Sequence, residues 1–174
     1  MRNMVIQLLV DNTSGVLSRI SGLFARRGYN IESITAGMTS VPNVTRITIV
    51  TAGDEDILEQ IEKQVGKLED VVQVRELESE QSVYRELCLI KIKAGADNRN
   101  HLLEIVDRFH CKLLDISPES LIVEITGARS KIDGFLTLVS EYEILEVART
   151  GLAGLCRNNA NEGFLENRFP NKQS

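Results

Sequence analysis

The sequence predicts an α+β protein made of two βαββαβ modules in tandem. Three observations lead there. Apolar residues switch between short buried-strand runs and the three- and four-residue spacing of helices. Clusters of Gly, Asn, Asp, Ser and Pro separate those runs. The whole order then recurs roughly 80 residues downstream, from Met4 to Tyr84.

In the first module Met4–Val10 is short, apolar-rich and followed by Asp11-Asn12-Thr13-Ser14-Gly15, so it reads as a buried strand ending in a turn. A helix follows. Val16, Leu17, Ile20, Leu23 and Phe24 recur at helical spacing, with Ser14 as the expected N-cap and Gly28 as the C-terminal stop. Ile31–Met38 and Val44–Thr51 are β-rich runs joined by Thr39-Ser40-Val41-Pro42-Asn43, which has hairpin-turn chemistry. Asp54 caps a second helix carrying the stripe Ile57, Ile61, Val65 and Leu68, and Val71–Leu77 supplies the last strand.

The second module repeats this: strand Tyr84–Lys93, helix Asn98–Phe109 with Leu102, Ile105, Val106 and Phe109 inward, then strands Lys112–Ser117 and Ser120–Thr126. A helix with Ile132, Phe135, Leu136 and Val139 on one face follows, Ser130 and Asp133 resembling a capping box, and Glu143–Thr150 is the final strand. Each order implies a four-stranded antiparallel sheet with both helices on one face, the ferredoxin-like arrangement. The opposite sheet face must be covered, which predicts association. The expected boundaries are 1–78 and 79–157, joined by Glu78-Ser79-Glu80-Gln81-Ser82, with a polar, poorly ordered tail at 158–174.

Composition narrows the function classes. Hydrophobic residues at 43% and charged residues at 26% suit a globular chain able to bury a core. With no Trp and only 5% aromatic residues, few rings are available to stack on bases or sugars. A net charge of −5 argues against non-specific nucleic-acid or anionic-membrane binding. Met4–Val10 is too short for a signal-peptide core, and no stretch approaches the ~20 apolar residues of a membrane span. Cys88, Cys111 and Cys156 are odd in number and widely spaced, which suits reduced thiols in a cytoplasm.

The segment Asp11–Leu17 sets an Asn and a Gly between a strand end and a helix start. Backbone N–H groups of Gly15, Val16 and Leu17 are expected to converge there, and the positive end of the helix dipole would favour a carboxylate or phosphate. The plain structural alternative is a capped helix in a tight turn. Asn30, at the entry to the second strand, has an amide able to donate and accept, as an amino-acid ligand requires, or to close a local Asx-type turn.

Other chemistries find no anchor. His101, His110 and the three Cys lack the spacing of a metal site, His110 and Cys111 being merely adjacent. Cys88 keeps step with Ile90 and Ile92 and reads as a small core hydrophobe. No nucleophile-elbow, phosphate-loop, dinucleotide or zinc-protease motif occurs, and no catalytic residues are assigned. The strand Val44–Val50 lacks the aromatics of an RNA-recognition motif.

The run Leu9-Val10-Asp11-Asn12-Thr13-Ser14-Gly15-Val16-Leu17-Ser18-Arg19, continuing into Gly22–Ile34, resembles the ACT-domain signature of acetolactate synthase small subunits. The resemblance extends through Arg46–Val50, Gln60–Gln64, Arg85-Glu86-Leu87, Leu89–Lys91 and Glu146–Gly151, covering roughly residues 1–155. It implies an N-terminal ACT domain, a second ACT-like domain, and a regulatory subunit without catalysis of its own. Such a subunit binds and activates a thiamine-diphosphate-dependent catalytic subunit and confers feedback inhibition by valine or a related branched-chain amino acid. It also implies a homodimer through paired ACT domains, with valine held between the loop before the first helix of one copy and the start of the second strand of the other. The matching positions are Asn12, Gly15, Val16, Leu17, Asn30 and Ile31. Thiamine diphosphate, FAD and magnesium belong by the same resemblance to the catalytic partner, with no cofactor on this chain. The competing expectation, an amino-acid- or metal-responsive transcription regulator, would need a basic DNA-binding element, and no helix-turn-helix segment is left over.

Overall fold

The computed structural model describes residues 2–157, so the tail expectation for 158–174 lies outside the described residues. The described residues form two compact units, one of residues 2–83 together with residues 152–157, the other Tyr84–Gly151.

The first unit contains β1 (Arg2–Asp11), α1 (Val16–Arg27), β2 (Ser33–Met38), β3 (Val44–Gly53), α2 (Glu55–Val65) and β4 (Val71–Glu76). Its sheet has the order β2-β3-β1-β4, antiparallel throughout. Facing residues of antiparallel strands share a face, so the pairs Ile6–Ile49 and Leu8–Ile47 put four branched side chains on the helix side. They pack with Val16, Ile20, Leu23 and Phe24 of α1 and Leu58, Ile61 and Val65 of α2 in one core. Gly28 ends α1 as expected, in the left-handed conformation at φ 70°, where a Cβ would be strained.

The start of α1 departs from the sequence reading. The N-cap is Gly15, not Ser14, and no side chain caps the helix. Gly15 sits at φ 83°, its carbonyl accepts the Arg19 N–H at 3.0 Å, and the Val16 N–H returns to the Thr13 carbonyl at 3.3 Å. The chain turns by means of a left-handed residue, which leaves Ser14 one position outside the helix.

The second unit contains most of β5 (Ser82–Lys93), then α3 (Arg99–Arg108), β6 (Lys112–Ile116), β7 (Ser120–Gly127), α4 (Arg129–Val139) and β8 (Ile144–Arg149), with strand order β6-β7-β5-β8. The pairs Cys88–Ile125, Ile90–Val123 and Ile92–Leu121 face Leu102, Val106, Ile132, Phe135 and Val139. The expected Ser130–Asp133 capping box does not form: α4 is capped at Ala128, and Ser130 lies within the first turn. Asp133 instead accepts from Arg149 Nη1 at 2.9 Å, and Arg149 grips Glu86 bidentately at 2.7 and 2.8 Å. Glu86 is 5% exposed.

A ninth strand, β9 (Ala153–Cys156), has no counterpart in the sequence reading, which placed 79–157 together. β9 pairs with β5, and the Arg157 N–H donates to the Gln81 carbonyl at 2.7 Å. On the sheet face turned away from the helices, buried Gln7 donates from Nε2 to the Gly154 carbonyl at 2.7 Å. Its Oε1 accepts from Arg75 Nη2 at 2.9 Å and Arg46 Nη1 at 3.3 Å. Part of the face that sequence left uncovered is thus met by the chain itself. Four residues including a Gly carry too little periodicity to reveal such a strand.

Two stability outcomes follow. Gly15→Ala should cost about 1–2 kcal/mol in urea unfolding, the strain of an L-residue in the left-handed region, with its Cβ 3.0 Å from Arg19 Nη1. Arg149→Met strands a buried carboxylate and should cost about 3 kcal/mol, most of it recovered when Glu86→Met is added.

Candidate functional site

β1 delivers the chain to the loop Asn12–Leu17, and hydrogen bonds fix its path. The Asp11 N–H donates to the Asp70 carbonyl at 2.9 Å, Asn12 N–H to Asn43 at 2.8 Å, and Thr13 N–H to Asp11 at 2.8 Å. Of the three N–H groups expected to converge, that of Val16 is already committed to Thr13, and the Val16 side chain is buried in the core. Gly15 and Leu17 N–H make no hydrogen bond among the described residues. Asn12 and Gly15 are exposed and the Leu17 side chain is 46% exposed. The first turn of α1 holds no acidic residue, so no side chain of that turn neutralises the positive end of the helix.

A network absent from the sequence reading holds this loop. Asp70, in the turn between α2 and β4, accepts from Arg19 Nε at 2.6 Å, Arg19 Nη2 at 2.8 Å and Thr13 Oγ1 at 2.8 Å. Arg19 Nη2 also reaches Thr13 Oγ1 at 3.1 Å, and Nη1 the Ser14 carbonyl at 3.3 Å. Hydrogen bonds from Arg19 first, then Thr13, hold the Asp70 carboxyl below its ordinary range. Asp70 lies 51 residues from Arg19, beyond any helical or strand period that would link them.

Asn30 and Ile31 form the second group of expected site residues. The Asn30 carbonyl accepts from Thr51 Oγ1 at 2.6 Å, its side chain is exposed, and Ile31 packs against the edge of the core. They lie past the C-terminal end of α1, whereas Gly15–Leu17 lie at its N-terminal end. Ten helical residues, Ser18–Arg27, separate the groups, about 15 Å at 1.5 Å per residue. Within one chain the fold unites Asn12, Gly15, Val16 and Leu17, and keeps Asn30 and Ile31 apart from them.

Elsewhere the chemistry is structural. Burial pushes the Cys111 thiol up to about 11, and it pushes the Cys88 thiol up as well. No three His, Cys, Asp or Glu side chains converge to hold a metal among the described residues. His101 Nδ1 meets the Tyr142 hydroxyl at 2.5 Å. An open cavity of about 290 Å³ in the second unit is lined by Lys93, Asp97, Asn98, Glu141, Tyr142 and Glu143, with Lys93 paired to Glu143 at 2.6 Å. No helix among the described residues is long and apolar enough to cross a membrane.

Comparisons with known proteins cover nearly the whole chain. The family described as the AHAS small subunit-like ACT domain matches residues 6–73, and that described as the small subunit of acetolactate synthase matches residues 85–158. The probable acetolactate synthase small subunit of Methanothermobacter thermautotrophicus is 45% identical over 154 residues, 88% of this chain and 92% of the relative. The acetolactate synthase isozyme 3 small subunit of Escherichia coli is 44% identical over 154 residues, 88% of this chain and 94% of the relative. The crystal structure of the acetolactate synthase small subunit from Thermotoga maritima superposes with a TM-score of 0.84 at 40% identity, covering 91% of this chain and 99% of that one. Matched along both modules, and over nearly the full length of its relatives, the chain belongs to the acetolactate synthase small-subunit family.

Proposed function

We propose that this chain is the regulatory subunit of an acetolactate synthase in branched-chain amino acid biosynthesis, acting in the cytoplasm. It docks on a catalytic subunit that carries thiamine diphosphate, FAD and magnesium, raises the activity of that subunit, and makes it sensitive to inhibition by valine or a close relative. Family membership supports the partner. The observation that carries the effector site is the pair of N–H groups, Gly15 and Leu17, without a partner among the described residues at a helix N-terminus that no side chain caps. They suit a carboxylate, and the exposed Leu17 side chain suits an aliphatic group beside it.

The separation of Asn30 from Gly15 supports a site shared by two copies. A two-fold axis placed beside α1 and perpendicular to it sets the N-terminus of one helix alongside the C-terminus of the other. Asn12, Gly15, Val16 and Leu17 of one copy then meet Asn30 and Ile31 of the second. β2 is an edge strand with Ile34 at 40% and Met38 at 87% exposure on its helix-facing side, apolar surface that such pairing would cover.

The test is reconstitution. Adding the purified chain to an acetolactate synthase catalytic subunit should raise its rate, and valine should inhibit the mixture more than the catalytic subunit alone. Gly15→Asp strains the left-handed turn and sets a carboxylate against Arg19 beside the effector site, where it repels the ligand's own carboxylate, and Asn30→Ala removes the amide. Each should raise the valine concentration for half-inhibition about tenfold or more, a loss near 1.4 kcal/mol. A catalytic subunit indifferent to the chain would reject the proposal.

A further inference from the structure

Resting on the effector reading above, we propose that Arg19 and Asp70 are positioning residues for effector binding: the Arg19–Asp70–Thr13 cluster holds the Asn12–Leu17 loop in its ligand-receiving conformation.

The cluster holds the loop at Asp11, Thr13 and Ser14. The main chain of Asp70 takes the Asp11 N–H where β1 ends, and its carboxylate takes the Thr13 hydroxyl and the Nε–Nη2 edge of the Arg19 guanidinium. Arg19 in turn touches the Ser14 carbonyl from Nη1, and that same nitrogen lies 3.0 Å from where a Cβ on Gly15 would stand. The guanidinium therefore forms the floor under Gly15, on the residue whose N–H the effector would use. The Asp70 side chain is 16% exposed and the turn that carries it is closed by the Val71 N–H to the Leu68 carbonyl at 2.9 Å, so the anchor itself is fixed.

Arg19 could instead be read as a direct ligand for the effector carboxylate. The geometry opposes that. Nε and Nη2 are engaged by Asp70 in a two-point fork, the second Nη2 N–H by Thr13 and one N–H of Nη1 by Ser14, so the charge is paired on the protein before any ligand arrives. A planar fork cannot be replaced by a lysine ammonium, which keeps the charge but not the two-point grip.

The two roles predict opposite signs. If Arg19 were a direct ligand, Asp70→Asn would free it and tighten valine binding, and Arg19→Lys would be tolerated. As positioning residues, both variants weaken it. Calorimetric titration of valine into the full-length dimer should give a Kd raised at least fivefold by Asp70→Asn and by Arg19→Lys, and raised in the same direction by Thr13→Val. Amide hydrogen exchange at Gly15–Leu17 should quicken in each, with the melting temperature close to that of the unaltered chain. Lys63→Met, which breaks the exposed Glu59–Lys63 pair on α2, should leave the Kd unchanged. If Asp70→Asn proves too unstable to titrate, Thr13→Val and Arg19→Lys carry the test. Tighter or unchanged binding in those variants, with valine bound normally by the unaltered chain, overturns the positioning role alone. An unaltered chain that binds no branched-chain amino acid overturns the effector reading and this inference together.

Discussion

Ten consecutive residue pairs, from Arg2–Gly53 to Asp11–Val44, lock β1 against β3, and the first unit follows from that register. A slip of β1 by one residue would turn Ile6 and Leu8 out of the core opposite Ile49 and Ile47 and bring Gln7 into it, exchanging branched apolar side chains for an amide. The burial of those four side chains under α1 and α2 fixes both helices. With the strand fixed, Asp11 ends beside Asp70, and the loop to α1 starts from a defined point. The candidate effector site is thus a consequence of the strand register, carried forward by three main-chain hydrogen bonds, from Asp11, Asn12 and Thr13, and one ion pair.

The repeat puts the same joint in both units with different chemistry on it. In the first unit Asp11 N–H donates to Asp70; in the second Lys93 N–H donates to Glu143, each at 2.9 Å. Around this shared bond the side chains diverge. The first unit adds the Arg19 fork and a glycine at φ 83°, which leaves backbone N–H groups accessible at the helix start. The second uses Lys93 with Glu143 and His101 with Tyr142, and enters α3 through Asn98 at φ −117°, among carboxylates that would repel an anion. One fold therefore presents a glycine-entered helix start without a side-chain cap in one copy of the repeat and an acidic corner in the other.

Off the helix side of the first sheet, the Gln7 amide is satisfied by distant chain. Gln7 is fully buried, and its amide spends its donor on Gly154 and its acceptor on Arg75 and Arg46. A buried amide left without these partners would cost about 1–3 kcal/mol. The return of the segment around β9 to this face therefore matters to the first unit, although it follows β8 in the chain.

By itself the sequence determined the two βαββαβ orders, most of each core stripe and the end of α1 at Gly28, because those features rest on local periodicity and on a glycine's access to positive φ; it counted Leu17, which is exposed, and passed over Leu58, which is buried. It also determined the family, through the long run from Leu9 to Ile34. It misplaced two helix starts, Ser14 for Gly15 and Ser130–Asp133 for Ala128, because a serine near a helix start looks the same whether its hydroxyl caps the helix or not. Only the tertiary structure decided that Asp133 and Glu86 share Arg149, that Asp70 anchors Arg19 and Thr13, and that Gly154 satisfies Gln7. Those partners are 16 to 147 residues apart. No local pattern encodes them, since they meet only once the strands have fixed which ends of the chain come together.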